Sequence, residues 1–391
     1  MVRARRLVLA AAVVLACAAC GSGAGSDTTS TQPHAAKRPF LWQCTNIGLD
    51  EARDECYERL LLQTIDASHD PADELPKIDK LARESDTDLY GRCHMLMHVV
   101  GRRWGAEHHL TLEGLQKVVP RSNDPGCSAG FGMGLVIYLG PQIIPSGGKS
   151  ALKTCVALPT RYRQYTCVHS LGHALMRGYH EALWLAVHAC ERLGARYAPD
   201  CAQGAFHDYW ISLTGSDDTT SPVHVVRSAR VLCAEPDYRR FAIGCWYRYF
   251  IEQLPAPVIL NAADLEKTCR GLTGTQREGC IAGASFELGL PMLEQARLCG
   301  TLPAADAVPC LRGVTTQGAA KPAQQFTLLR DCTHYPASVR AGCVSWLGLA
   351  FQLVTDGRFA RSGCPQLATA ADRKACLAGT RRANGPIVTF S

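Results

Sequence analysis

Thirteen histidines are spread unevenly along the chain, and their spacing is the first sign of chemistry. His94 and His98 stand four apart, as do His169 and His173, and His207 is followed directly by Asp208. Residues four apart on a helix lie on one face, one turn from each other, so each pair can present two imidazoles to a single ion. Neutral imidazole suits Zn, Fe and Cu. The expected metal ligands are His98, His169, His173 and His207, with His94 and Asp208 in support. Asp208 would either ligate or orient an imidazole from outside the ligand set. An ion with an open position would activate water for hydrolysis, and a redox metal would carry oxidation instead. The segment His169-Ser-Leu-Gly-His173 lacks the glutamate of a His-Glu-x-x-His peptidase, so that mechanism is not expected. The rival account keeps the histidines as buried hydrogen-bonding groups in a metal-free scaffold that captures a peptide or an envelope protein partner.

Imidazoles this far apart along the chain meet only if the elements carrying them share a phase, and the cysteines supply the frame. Cysteine pairs recur at separations of 11 or 12. They are Cys44 with Cys56, Cys155 with Cys167, Cys190 with Cys201, and Cys233 with Cys245. Further along come Cys269 with Cys280, Cys299 with Cys310, Cys332 with Cys343, and Cys364 with Cys376. Cys93 and Cys127 have no partner at that distance and could bridge neighbouring units. Taken with the second member of each pair, they mark ten positions about 36 residues apart, the period of helical-hairpin arrays. Counted from these cysteines, His98 stands at offset 5, while His173 and His207 both stand at offset 6. That register puts the three on one flank of stacked helices.

Apolar residues around each second cysteine recur at helical spacing, as in Cys343-Val-Ser-Trp-Leu-Gly-Leu-Ala-Phe-Gln-Leu-Val354, and no sustained alternation of a strand appears. The expected fold is therefore all-α, a disulfide-stapled, solenoid-like array of about nine to ten helical hairpins over residues 39–391. Each bridge would cross the turn of its own hairpin, from the end of one helix to the start of the next. Gly130, Gly134, Gly172, Gly204 and Gly283 fall inside the second helices, where each costs roughly 1 kcal/mol of propensity. Close approach of neighbouring backbones would compensate. Arg163, Arg240, Arg277, Arg340 and Arg373 precede second cysteines by three to five residues.

The N-terminus is read apart from this array. Residues 1–20 combine a basic start with an apolar run from Leu7 to Ala16 and small residues before cysteine, the pattern of a signal peptide. That run is half the roughly 20 residues a spanning helix needs. Small residues followed by Cys20 resemble a bacterial lipoprotein cleavage box. Cleavage there lipidates Cys20, removes Cys17 and leaves 18 body cysteines, an even number. Residues 21–38, rich in Gly, Ser, Thr and Gln, would be a flexible tether to the membrane. The expected location is extracytoplasmic, where disulfides persist.

Several chemistries are excluded or disfavoured. No Cys-x-x-Cys occurs among the body cysteines, against zinc ribbons, thioredoxin-like redox sites and covalent haem. Gly147-Gly-Lys-Ser150 has Ile143 where a phosphate loop needs glycine, so no nucleotide is expected. Arg3, Arg5 and Arg6 account for three of the formal charge of +6, leaving too little for a nucleic-acid footprint. Glu252 and Glu287 at offset 7 read as solvated. Tyr209, Trp210, Trp246, Tyr247, Tyr249 and Phe250 fit either a ligand groove or the core between helices. His108, His109, His180 and His188 read as surface or packing residues.

Overall fold

The computed structural model describes residues 42–382, apart from 46, 69, 86, 215–226, 253–258, 287, 289–291, 319–321 and 356. The leader 1–20 with Cys20, the tether 21–38 and Glu287 lie outside the described residues. Where the chain is described it is all-helical, without a strand; one isolated bridge joins Ile259 and Leu288. No single described helix is long and apolar enough to cross a membrane.

The first helices are α1 (Trp42–Thr45), α2 (Asp50–Ala67), α3 (Pro71–Ser85), α4 (Thr87–Glu107), α5 (Leu115–Val118), α6 (Cys127–Tyr138) and α7 (Gly140–Ile143). Then come α8 (Lys149–Val156), α9 (Arg161–Gly178), α10 (Leu183–Glu191), α11 (Ala198–Thr214), α12 (Ala229–Leu232) and α13 (Ala242–Glu252). The chain continues with α14 (Ala262–Cys269), α15 (Gly274–Phe286), α16 (Met292–Thr301), α17 (Ala304–Gly318), α18 (Pro322–Cys332), α19 (Ala337–Val354), α20 (Phe359–Ser362) and α21 (Ala370–Arg382). Helix starts follow local chemistry. Thr160 Oγ1 accepts the Arg163 N–H at the start of α9, and Asn261 Oδ1 accepts the N–H groups of Ala263 and Asp264 at the start of α14. The first turn of α6 is capped from outside: Asp79 on α3 accepts the Ser128 N–H at 2.9 Å and the Ser128 hydroxyl. Gly147 and Gly148 both take positive φ and form the turn before α8, whose first residues are Lys149 and Ser150.

All 18 body cysteines are bridged, and the eight pairs at separations of 11 or 12 form as the spacing predicts. Cys44 bonds to Cys56, Cys155 to Cys167, Cys190 to Cys201, and Cys233 to Cys245. Cys269 bonds to Cys280, Cys299 to Cys310, Cys332 to Cys343, and Cys364 to Cys376. The ninth bridge joins Cys93 and Cys127 across 34 residues, from α4 to α6. Closing a loop of a dozen residues contributes about 3 kcal/mol by chain entropy, and closing the longer one about 4 kcal/mol.

Two details differ from the expected hairpin. The first helices are uneven: α12 has four residues, α18 has 11, and Cys364 sits in a short 3-10 turn. Second cysteines also stand inside their helices rather than at the start. Cys56 in α2, Cys167 in α9, Cys280 in α15, Cys310 in α17 and Cys376 in α21 each lie about a turn and a half in. The reason is that the segment just before each of these cysteines already belongs to the second helix, so the turn between helices is shorter than the disulfide loop.

The helices carrying Cys93, Cys127 and the second cysteine of each other pair pack in chain order, each on the next: α2, α4, α6, α9, α11, α13, α15, α17, α19 and α21. Glycine sets how close they come. A Cβ at Gly172 would overlap the Cys201 carbonyl oxygen, and one at Gly130 that of His94. Ion pairs fix the register, with Arg277 on Asp306 at 2.8 Å and Arg340 on Asp372. Late helices also reach early ones: α19 touches α9, and Asn123 Nδ2 donates to the Leu353 carbonyl at 3.1 Å. The dense aromatics serve as packing. Trp210 is fully buried, its Nε1–H donates to the Cys245 carbonyl at 3.3 Å, and its ring lies 5.1 Å from that of Tyr249.

Candidate metal centre

Four helices bring the relevant side chains together. α4 supplies His94 and His98, α9 supplies His169, His173 and Arg177, α11 supplies His207 and Asp208, and α13 supplies Arg248 and Glu252. His169, His173 and His207 are buried, and one ring nitrogen from each lies within 4.8 Å of the others. His169 Nε2 is 3.2 Å from His173 Nε2 and 3.2 Å from His207 Nδ1. Two ligands about 2.05 Å from a tetrahedral ion are separated by about 3.3 Å, so these spacings match the edges of such a site.

The outer nitrogens fix which way the inner ones face. His173 Nδ1 meets Asp208 Oδ1 at 3.1 Å, and His207 Nε2 meets Glu252 Oε1 at 2.9 Å. An ionised carboxylate only accepts, so each imidazole carries its proton on the outer nitrogen. The inner nitrogens, His173 Nε2 and His207 Nδ1, are thereby left as lone pairs facing His169 Nε2. One proton on His169 can satisfy only one of them. Carboxylates behind ligand imidazoles in this way are typical of metal sites.

Electrostatics keep this protonation pattern. Burial pushes the pKa of His169 and of His207 well below the ordinary value, and the Arg248 charge adds to it. His98 is pushed well down by burial and then by His94, while His173 is lowered by burial despite Asp208. Burial acts to raise Asp208, but the Arg177 charge and the His173 hydrogen bond outweigh it and hold the carboxyl below its usual range. Arg177 Nε donates to the same Asp208 oxygen at 3.0 Å. The result is a set of neutral imidazoles with an anionic Asp208 behind His173.

His98 and His94 stand beside this group rather than in it. The His98 ring centroid is 5.7 Å from that of His173, and its Nε2 faces His94 Nε2 at 3.3 Å. His94 Nδ1 donates to the Pro125 carbonyl at 2.7 Å, and burial lowers its pKa to about 4. The three-nitrogen group thus holds three of the four expected ligands and leaves out His98. Asp208 takes the orienting role of the two foreseen. Glu252, expected to be solvated, is instead the partner of His207, and Arg248, which the sequence did not single out, lies with its Nη2 3.5 Å from His169 Nε2. Their position on α13, which carries no histidine, hid both. Two further described histidines stand at the surface: His108 stacks on Trp104 at 4.2 Å and bonds Asp66, and His188 bonds the Trp184 carbonyl.

No protein-family model, no curated protein and no solved structure matches the chain.

Proposed function

We propose that the protein is a lipid-anchored metalloprotein. In this reading His169, His173 and His207 hold one ion of Zn, Fe or Cu. The open position of that ion carries hydrolytic or oxidative chemistry on an extracytoplasmic substrate. The observation that carries the reading is the pair of carboxylates, Asp208 and Glu252, that turn two imidazole lone pairs inward onto a third nitrogen. Lone pairs packed in a dry site without a cation or shared proton are costly, whereas an ion satisfies all three.

The same reading takes the helices as a tandem array of stapled hairpins, supported by eight local bridges and by packing in chain order. Nine disulfides suggest an oxidising, extracytoplasmic compartment. Anchoring through Cys20 rests on the leader sequence, and it predicts that labelled fatty acid enters the wild type and not Cys20→Ser.

Metal analysis of the oxidatively folded protein tests the centre. About one ion per chain is expected, lost in the double variant His173→Ala, His207→Ala. Protein that holds no stoichiometric metal, with a melting temperature indifferent to chelator, rejects the centre in favour of a metal-free binding scaffold.

A further inference from the structure

His94 and His98 repeat on α4, with two imidazoles, the construction of the three-nitrogen group. The outer nitrogen of His94, Nδ1, meets the Pro125 carbonyl at 2.7 Å. A carbonyl only accepts, so the single proton of the neutral ring sits there and His94 Nε2 is left as a lone pair. His98 Nε2 faces that lone pair at 3.3 Å. Two ligands about 2.05 Å from one tetrahedral ion stand about that far apart. Inside the three-nitrogen group the corresponding spacings are 3.2 Å.

His98 has one proton for two demands. Its Nδ1 is buried and has no hydrogen-bond partner among the described residues. With the proton on Nε2, the ring donates to His94 and leaves Nδ1 as an unmatched acceptor. With the proton on Nδ1, two lone pairs face each other across 3.3 Å. Neither state of the bare pair satisfies every buried nitrogen. A cation between the two Nε2 atoms takes both facing lone pairs at once, with the proton moved to Nδ1.

The pair adjoins the first group. The His94 and His98 rings lie 4.9 Å apart, and the His98 ring lies 5.7 Å from that of His173. Neighbouring rings within the three-nitrogen group are 4.6, 5.0 and 5.5 Å apart. The five imidazoles therefore form one continuous cluster, in which His94 is half-buried and the other four are buried. We propose that His94 and His98 hold a second divalent ion, of the Zn or Cu class that imidazole suits, beside the ion of the three-nitrogen group. Only two protein ligands hold it, and His94 is backed by a peptide carbonyl rather than a carboxylate. It therefore binds at least about tenfold more weakly than the first ion. The second site rests on the metal reading above for its neighbour, while its own ligands both lie on α4.

The oxidatively folded full chain, stripped with chelator, is titrated with Co(II) and followed by calorimetry. About two equivalents are expected, the second weaker by about tenfold or more and removed by dialysis that leaves the first in place. His94→Gln and His98→Gln each abolish the second equivalent and keep the first. Loaded with Cu(II) instead, the wild type shows an electron paramagnetic resonance spectrum broadened by coupling between two nearby spins, which an ion on a distant surface histidine does not give. Saturation at one equivalent, or a second equivalent that survives His94→Gln or shows no spin coupling, overturns the second site and leaves the first standing. Loss of both equivalents in His94→Gln overturns it as well, because the five imidazoles would then be a single site. A wild-type chain that takes up no Co(II) overturns the metal reading itself, and the second site with it. Should His98→Gln fail to fold, His94→Gln, at the half-buried position, still decides.

Discussion

A Cβ on Gly204 would overlap the carbonyl oxygen of His169, so α11 meets α9 backbone to backbone at the turn that carries a candidate ligand. Gly172 makes the reciprocal approach to the Cys201 carbonyl. The distance between His169 and His207 is therefore set by the absence of a side chain. A peptide carbonyl cannot swing away as a flexible side chain can, so an added methyl must push the helices apart.

Gly204→Ala is expected to cost roughly 1–3 kcal/mol, despite the gain in helix propensity, and to weaken metal binding. Gly91→Ala in α4 is the control. It faces open space and is expected to stabilise by roughly 0.5–1 kcal/mol. Denaturant unfolding and metal titration of both variants check the pair. A Gly204→Ala protein as stable as the wild type would contradict the close approach.

Asp208→Asn and Glu252→Gln are nearly isosteric and leave all three imidazoles in place. Each is expected to lower metal affinity about 10- to 100-fold with the stoichiometry unchanged, because the outer nitrogen loses its anionic acceptor. Competition with a chromophoric chelator reads the change. Affinities equal to wild type would show that the carboxylates do not act through the imidazoles.

Disulfides of different loop length should differ in worth. Replacing Cys93 and Cys127 together by serine removes the 34-residue loop, and replacing Cys190 and Cys201 removes one of 11. Chain entropy predicts losses of about 4 and about 3 kcal/mol, the first the larger. Unfolding midpoints of the two double variants give the order. Peptide maps taken without reduction should recover Cys190 joined to Cys201, and any other partner would break the hairpin assignment.

Asp79 gives a pH signature away from the histidines. Burial raises its pKa to about 6, against the opposing hydrogen bonds from Ser128. A carboxyl raised in the folded state contributes stability fully present below its unfolded value near 3.9 and lost as pH rises through about 6. Asp79→Asn keeps an acceptor for the Ser128 N–H and does not titrate. Its stability relative to wild type should therefore grow between about pH 4 and pH 6, by at most about 1.4 kcal/mol per pH unit. A difference independent of pH across that window would contradict the shift.

The pairs at 11 or 12 residues were legible because a disulfide across a helical turn leaves little freedom in spacing. His173 and His207 were legible for a related reason: equal offsets from bridged cysteines place residues at equivalent points of neighbouring helices. His98, one offset earlier and anchored to the longer link between Cys93 and Cys127, falls outside the three-nitrogen group. Glu252 and Arg248 were not legible as site residues. Their role depends on how far α13 slides along α11, which side-chain volumes and glycine contacts decide and spacing does not encode. The uneven first helices escaped for the opposite reason, since short polar segments carry little periodic signal.

Every cysteine sulfur in the body is joined to its neighbouring cysteine along the polypeptide, the long link between Cys93 and Cys127 included. A chain emerging N-terminus first into an oxidising compartment can therefore reach the native set by coupling each second thiol to its predecessor. No earlier thiol has to be held in reserve for a distant one, and no isomerase is required to undo a premature match.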